Sequence, residues 1–147
     1  MNRVDPDDVA AASWFERHAP SDSVLVGVTT NFPDRASARY PAVYDPAYPG
    51  APSLTDHAAY RSRRLGVADL PRIERTLRTY GARHTFLTLG ASQERYARLY
   101  GLLPAGSFQS LDRALRRSPA FLLVFRRGPS SIFEYRPGRQ PGSEAIR

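Results

Sequence analysis

Residues 23–30 read Ser-Val-Leu-Val-Gly-Val-Thr-Thr, a short apolar run in which β-branched side chains predominate. Such a run is typical of a strand that is buried on both faces in a parallel sheet. The residues before it predict a helix, because Asp5 can cap free backbone amides and Pro6 suits the first helical position. This helix is expected to end near Ala19, before Pro20. A helix followed by a buried strand is the start of an α/β pattern.

The second half of the chain continues this alternation of helices and strands. A helix is predicted from Asp69 to Gly81, with its apolar residues on one face, and a strand from His84 to Leu89. Ser92 is then in position to cap the next helix, and a shorter helical segment follows it. Two final apolar runs, at 121–126 and 132–136, lie on either side of a Gly-Pro-Ser turn and predict a β-hairpin.

The predicted fold class is α/β: a mostly parallel sheet is flanked by helices in three layers, like half of a Rossmann or flavodoxin fold, and ends in a β-hairpin. A chain of 147 residues has the usual size of one domain. We therefore predict a single α/β domain over residues 1–136. Residues 137–147 are rich in Pro, Gly and polar side chains, which predicts a disordered tail.

The composition restricts the function classes. The chain contains no cysteine, which excludes disulfides, thiol catalysis and thiolate metal sites. No apolar run in the sequence approaches the roughly 18 residues of a membrane-spanning helix. The net charge is +7, and all 21 basic residues are arginines. This charge suits a surface near anionic lipid headgroups or phosphates, although a solvated basic surface is the commoner cause.

The sequence carries no self-sufficient set of catalytic residues. The three histidines, His18, His57 and His84, lack the spacing of metal ligands, so neither a metal nor a cofactor is predicted. Ser92 follows a strand as a nucleophile would, but Glu94 replaces the second glycine of the Gly-x-Ser-x-Gly pattern. A helix cap is the preferred interpretation of Ser92, and the amides at this helix start could also bind an anion. The chain is therefore predicted to be non-catalytic by itself.

The best candidate for a ligand site is the long segment after the first strand. Residues 31–53 carry five prolines interleaved with tyrosines, so little regular structure is expected there beyond an extended piece at 39–44. In parallel sheets, ligands bind outside the carboxyl ends of strands, where this segment begins. Its tyrosines could stack on sugar rings or cover the core, and its arginines could bind a ligand or face solvent. The predicted ligand-binding residues are Thr29, Thr30, Asn31, Asp34, Arg35, Arg39, Tyr40, Tyr44 and Ser92.

Several stretches of the chain together resemble a known family. Ala-Ala-Ala-Ser-Trp-Phe at 10–15 is followed by Ala-Pro-Ser-Asp-Ser-Val-Leu-Val at 19–26. Tyr-Gly-Ala-Arg-His at 80–84 leads into a strand, and Ser-Pro-Ala-Phe-Leu-Leu-Val-Phe at 118–125 is followed after a turn by Ile-Phe-Glu-Tyr at 132–135. This order is similar to that of the soluble C-terminal extracytoplasmic domain of GT-C-type bacterial polytopic membrane glycosyltransferases.

The resemblance covers roughly residues 5–136 and implies a water-exposed α/β domain that follows many transmembrane helices. In that family the catalytic acids lie in loops between the helices, and no position of this chain matches them, so no catalytic residue is implied here. The resemblance implies the transmembrane part of a parent protein as partner and a glycan or polyprenyl-phosphate as ligand. It also implies contact with an anionic membrane surface and a location on the extracytoplasmic face. The absence of a membrane part from this chain is its largest departure from the family pattern.

Three other functions stay open at this point. A complete chain could be a cytoplasmic α/β module that binds a phosphorylated small molecule or nucleotide through residues 29–39 and the Ser92 helix start. A basic nucleic-acid-binding protein is a weaker alternative, because residues 121–127 lack the glycine and aromatic spacing of RNA-binding sheets. A small hydrolase could also assemble its site from residues that are distant in sequence.

Overall fold

The computed structural model describes residues 5–28, 42–44, 63–80, 83–99, 101 and 103–138. These residues form four α-helices: α1 (Pro6–His18), α2 (Leu70–Arg78), α3 (Ala91–Leu99) and α4 (Ser107–Arg117). A 3₁₀ turn (Val67–Asp69) precedes α2. The described strands are β1 (Ser23–Gly27), β2 (Ala42–Tyr44), β3 (His84–Leu89), β4 (Phe121–Arg127) and β5 (Ser130–Tyr135).

The described strands form one mixed sheet in the order β2-β1-β3-β5-β4. β1 is parallel to both β2 and β3, whereas β5 is antiparallel to both β3 and β4. The prediction of a mostly parallel sheet was therefore wrong, because half of the strand pairings are antiparallel. The cause is the terminal hairpin, whose prediction is confirmed. Gly128, with a φ of +56°, helps to reverse the chain after β4, and the returning strand β5 pairs with β3.

The strands contribute to two separate apolar clusters, because successive side chains of a strand point to opposite faces. In β1, Val24 and Val26 belong to the larger cluster, whereas Leu25 belongs to the smaller one. The smaller cluster includes Ala11 and Phe15 of α1. The larger cluster includes residues of the other three helices, namely Ile73, Leu77, Ala97, Phe108, Leu111 and Leu115. Since β1 is buried on both faces, its sequence shows no alternation of apolar and polar residues.

Two aspartates lie at helix starts, and they act differently. Asp5 caps α1 as predicted, because its Oδ1 accepts a hydrogen bond from the Asp7 amide at 2.9 Å. Asp69 directly precedes α2, but its side chain makes no capping hydrogen bond to that helix. Its carboxylate instead accepts from the Gly66 amide at 2.7 Å and pairs with the Arg63 guanidinium at 2.9 Å. Asp69 therefore stabilises the 3₁₀ turn that leads into α2.

Asp8 is a fully buried carboxylate that joins three parts of the chain. Its Oδ2 accepts a hydrogen bond from the Ser92 amide in α3 at 2.9 Å, and its Oδ1 accepts one from the Ser130 hydroxyl at the start of β5. Gly90 packs directly against this carboxylate, since a Cβ at that position would lie 2.1 Å from Asp8 Oδ1. The first turn of α1, the β3–α3 turn and the β4–β5 turn are therefore held together at one point.

Replacing Asp8 with Asn should destabilise the fold. One of the two carboxylate oxygens becomes an NH₂ group, which cannot accept a hydrogen bond, so a buried donor loses its partner. We expect the free energy of unfolding to fall by about 2 kcal/mol, measured by urea unfolding followed by circular dichroism. Glu16→Gln, which alters an exposed carboxyl on the same helix, is the matched control and should change it by less than about 0.5 kcal/mol. Equal stability of Asp8→Asn and Glu16→Gln would contradict this account.

The stability of the fold should also depend on the ionisation of Tyr135. Burial raises the pKa of this phenol above its ordinary value of 10.0, and the Glu74 carboxylate, which accepts its hydrogen bond at 3.2 Å, acts in the same direction. The neutral phenol is thus favoured in the folded state, so its contribution is present below about pH 10 and is lost as the pH rises through the raised pKa. Between about pH 8 and about pH 11, the native chain should lose more unfolding free energy than Tyr135→Phe, as urea unfolding would measure. The same pH dependence in both proteins would be the contrary result.

Candidate functional site

The carboxyl ends of β1, β2, β3 and β4 lie along one edge of the sheet, here called the carboxyl edge. In the register of the sheet, Gly27 of β1 lies beside Tyr44 of β2 and Thr88 of β3. The chain passes from β1 to β2 on one side of β1 and returns to β3 on its other side, so the strand order reverses at β1. Ligands of α/β sheets bind at such a reversal, outside the carboxyl ends of the strands.

Most of the predicted ligand-binding residues lie outside the described part of the chain: Thr29, Thr30, Asn31, Asp34, Arg35, Arg39 and Tyr40. Their assembly into a site therefore stays a prediction. The backbone of Tyr44 is described at the end of β2, beside Gly27, within the piece that was expected to be extended. The predicted segment thus begins after β1 and includes a strand that ends at the carboxyl edge.

Gln93 holds the backbone at the point where that segment begins. This side chain is fully buried, and its Oε1 accepts a hydrogen bond from the Val28 amide at 3.1 Å. Val28 is the last residue described before Thr29. The start of α3 and the end of β1 are therefore linked through a side chain that sequence reasoning did not single out.

Ser92 belongs to the set of contacts around the buried Asp8 carboxylate, here called the Asp8 anchor. Its side chain is buried, and its Oγ accepts hydrogen bonds from the Asp5 amide and from Arg95 Nη2, each at 3.4 Å. The prediction that Ser92 caps the helix was wrong, because α3 begins at Ala91 and the capping oxygen comes from Asp8. The sequence also allowed an anion to bind at the amides of this helix start, and at the Ser92 amide the acceptor is the carboxylate of Asp8.

A cleft of about 250 Å³ opens at the carboxyl edge between α3, α4 and the β4–β5 turn. Leu89, the last residue of β3, and Arg126 of β4 lie at the same level of the sheet, since both pair with Ser131 of β5. Phe108 and Pro129 join Leu89 in the apolar part of the lining. The polar and charged part of the lining consists of Glu94, Gln109, Asp112, Arg113, Arg116 and Arg126.

Asp112 organises the charged side of this cleft. Its Oδ1 accepts from Arg126 Nη2 at 2.5 Å, and its Oδ2 accepts from Arg116 Nε at 3.0 Å. The Ser131 hydroxyl lies 3.4 Å from Oδ1 and donates to it. The Asp112 side chain is only 13% exposed, whereas those of Arg126 and Arg116 are 38% and 46% exposed. A shielded carboxylate therefore fixes two guanidinium groups whose outer surfaces face solvent.

The arrangement in the cleft is suited to binding an anion. Among the described lining residues, the carboxylates are Asp112, which is held by two arginines, and Glu94, whose Oε1 accepts from Gln109 Nε2 at 3.3 Å. The lining residues include no serine or histidine that either carboxylate could activate as a nucleophile, and the Ser131 hydroxyl, which donates to Asp112 Oδ1, is buried and is not one of the lining residues. Arginine in a partly apolar cleft is instead a common means of binding phosphate or carboxylate groups.

The two described histidines lie away from the cleft. His18 of α1 is exposed, and its ring stacks on Trp14 with Nδ1 2.9 Å from the Trp14 carbonyl oxygen. His84 begins β3, at the opposite edge of the sheet, where its Nδ1 is 4.0 Å from Glu134 Oε2. Within the described ranges, no group of three or more histidine and acidic side chains could hold a metal ion.

Comparisons with protein-family models, with curated proteins and with solved structures found no match to this chain. Its function has to be inferred from the residues and geometry of the chain itself.

The contacts of Ser92 predict a structural effect for its removal. Ser92→Ala deletes an oxygen that accepts two hydrogen bonds in a buried place, so the free energy of unfolding should fall by about 1 kcal/mol in urea unfolding. The matched control is Ser13→Ala, because Ser13 is an exposed serine in the middle of α1 and alanine is a better helix former. That control should leave the free energy of unfolding unchanged or slightly higher. A Ser92→Ala variant as stable as the native chain would contradict a stabilising role of Ser92 in the Asp8 anchor.

Proposed function

We propose that this chain is a non-catalytic accessory domain of a larger membrane glycosyltransferase-like protein. In this proposal the domain lies on the extracytoplasmic face, contacts the transmembrane part of the parent protein and helps to bind its glycan or polyprenyl-phosphate substrate. The observation that carries the proposal is the carboxyl edge, where the strand order reverses at β1 and the predicted ligand segment begins.

The use of the buried polar side chains supports a scaffolding and binding role. Asp8 holds the Ser92 amide and the Ser130 hydroxyl, and Asp69 holds the Gly66 amide. The Asp8 contacts join separate elements of the fold and the Asp69 contact holds the 3₁₀ turn before α2, so these two buried carboxylates serve the architecture. Bond-making groups would then come from the parent protein, as the family resemblance implies.

We propose that the domain corresponds to half of a doubly wound fold with three layers. The placement of α1 in one apolar cluster and of α2, α3 and α4 in the other supports this, as does the strand order β2-β1-β3. The antiparallel strand β5 is the departure from that pattern.

The proposal assigns the membrane spans to the parent protein. Within the described ranges, no helix is both long enough and apolar enough to cross a membrane. Contact with an anionic membrane surface would involve the arginines that give the chain its net charge of +7.

The proposal is tested on the reading frame that encodes this chain. We expect the frame upstream of Met1 to encode several apolar spans of about 20 residues each. The membrane protein with this domain should transfer sugar, and a version that ends before Asp5 should show a raised KM for the acceptor, measured in detergent micelles. The purified 147-residue chain should show no turnover. A frame without apolar spans, or turnover by the purified chain, would contradict the proposal.

A further inference from the structure

We infer that the cleft between α3, α4 and the β4–β5 turn binds a phosphomonoester, with the guanidinium groups of Arg116 and Arg126 as its clamp. The inference rests on the proposed function in one respect, because it takes the carboxyl edge as the ligand-binding side of the domain. It does not require a membrane-bound parent. The residues of this clamp lie on α4 and β4, outside the segment that the sequence pointed to.

The first support is the number of donors that the two arginines present. Each guanidinium has five N–H donors, and the contacts with Asp112 occupy one nitrogen of each arginine: Nε of Arg116 and Nη2 of Arg126. Both groups converge on one carboxylate and are 46% and 38% exposed, so their remaining donors can be reached by a ligand. A phosphate has more oxygens and more charge than a carboxylate, so it can accept from more of these donors, and arginine–phosphate pairs are frequently bidentate.

The second support is the charge and the shape of the cleft. Its lining contains three arginines, including Arg113, and two carboxylates, so one positive charge is left over. A volume of about 250 Å³ accommodates a phosphate together with a small substituent. Leu89, Phe108 and Pro129 supply an apolar surface for that substituent. The combination favours a phosphomonoester over inorganic phosphate.

Asp112 gives the clamp its geometry and also competes with the ligand. Without a ligand it holds the Arg116 and Arg126 side chains beside each other, which lowers the entropy that binding has to overcome. The Ser131 hydroxyl is a further partner for Asp112 when the guanidinium groups turn toward a phosphate. Replacing Asp112 with Asn leaves one side-chain oxygen that can still accept from a guanidinium group, so part of this geometry is kept while the competing charge is removed, and anion binding should become stronger.

The test is calorimetric titration of the full 147-residue chain with phenyl phosphate, with phenol as the uncharged control. Arg116→Gln and Arg126→Gln should each weaken binding about tenfold, because each removes a charge-assisted hydrogen-bonding group. Arg117→Gln is the matched control: it removes the same charge from the next position of α4, which is exposed and does not line the cleft. It should change the affinity by less than about twofold. Phenol should not bind.

Asp112→Asn provides the readout that a purely structural cluster would not give. The variant should bind phenyl phosphate about threefold or more tightly, because a competing negative charge is gone. Circular dichroism checks that each variant is folded. If one arginine variant fails to fold, the other arginine variant and Asp112→Asn still test the inference. The arginine variant should weaken the binding of phenyl phosphate, whereas Asp112→Asn should strengthen it.

Two further probes, glucose 1-phosphate and a short-chain isoprenyl phosphate, decide whether the cleft takes a sugar phosphate or a lipid phosphate. Binding of either probe that is weakened about tenfold in Arg116→Gln and in Arg126→Gln supports the cleft and identifies which of the two chemistries it takes. Absence of binding by all three phosphates, or equal affinity in the native chain and every variant, overturns the inference. A reading frame without membrane spans would remove the proposed function and leave this result intact, so the two failures are distinguishable.

Discussion

The buried carboxylate of Asp8 is the contact on which the carboxyl edge depends. It accepts from the Ser92 amide and the Ser130 hydroxyl, and Gly90 approaches it so closely that no side chain could take that place. A buried charge is tolerated only when hydrogen bonds replace its lost hydration, and these donors come from the start of α3 and the start of β5. The start of α1, the start of α3 and the turn before β5 are thereby fixed relative to each other. The cleft lies between α3, α4 and that same turn, so its shape follows from this contact.

The parts of the fold that depend on local sequence could be predicted. Asp5 and Pro6 start α1, the apolar run at 23–27 forms a buried strand, and the Gly128 turn forms a hairpin, because each of these signals acts within a few residues. The pairing of β5 with β3 could not be predicted. The sequence determines that β4 and β5 are neighbours, but not which of them enters the sheet beside β3, and that choice made the sheet mixed.

The candidate site could be predicted less well, because its groups come from separate elements. The carboxyl edge and the extended piece ending at Tyr44 followed from the pattern of strands. The local position of Ser92 predicts a helix cap, but the carboxylate that satisfies the helix start belongs to Asp8, which lies 84 residues away in sequence. The cleft likewise brings together residues from separate elements. Asp112 and Arg116 are one helical turn apart, but Arg126 joins them only through the placement of β4 beside β5. No spacing rule for one element reports such a contact.

The central claim is that the polar interior builds the scaffold and that ligand chemistry is confined to the carboxyl edge. Its most direct test is a nitrogen–proton NMR titration of the whole chain with phenyl phosphate, in which every backbone amide reports on its own surroundings. The account predicts that the largest shift changes occur in residues 89–94, 108–116 and 126–131, and that Ser23, His84 and Tyr135 at the opposite edge stay unchanged. Changes spread evenly over the arginine-bearing helices, or centred on the opposite edge, would contradict it.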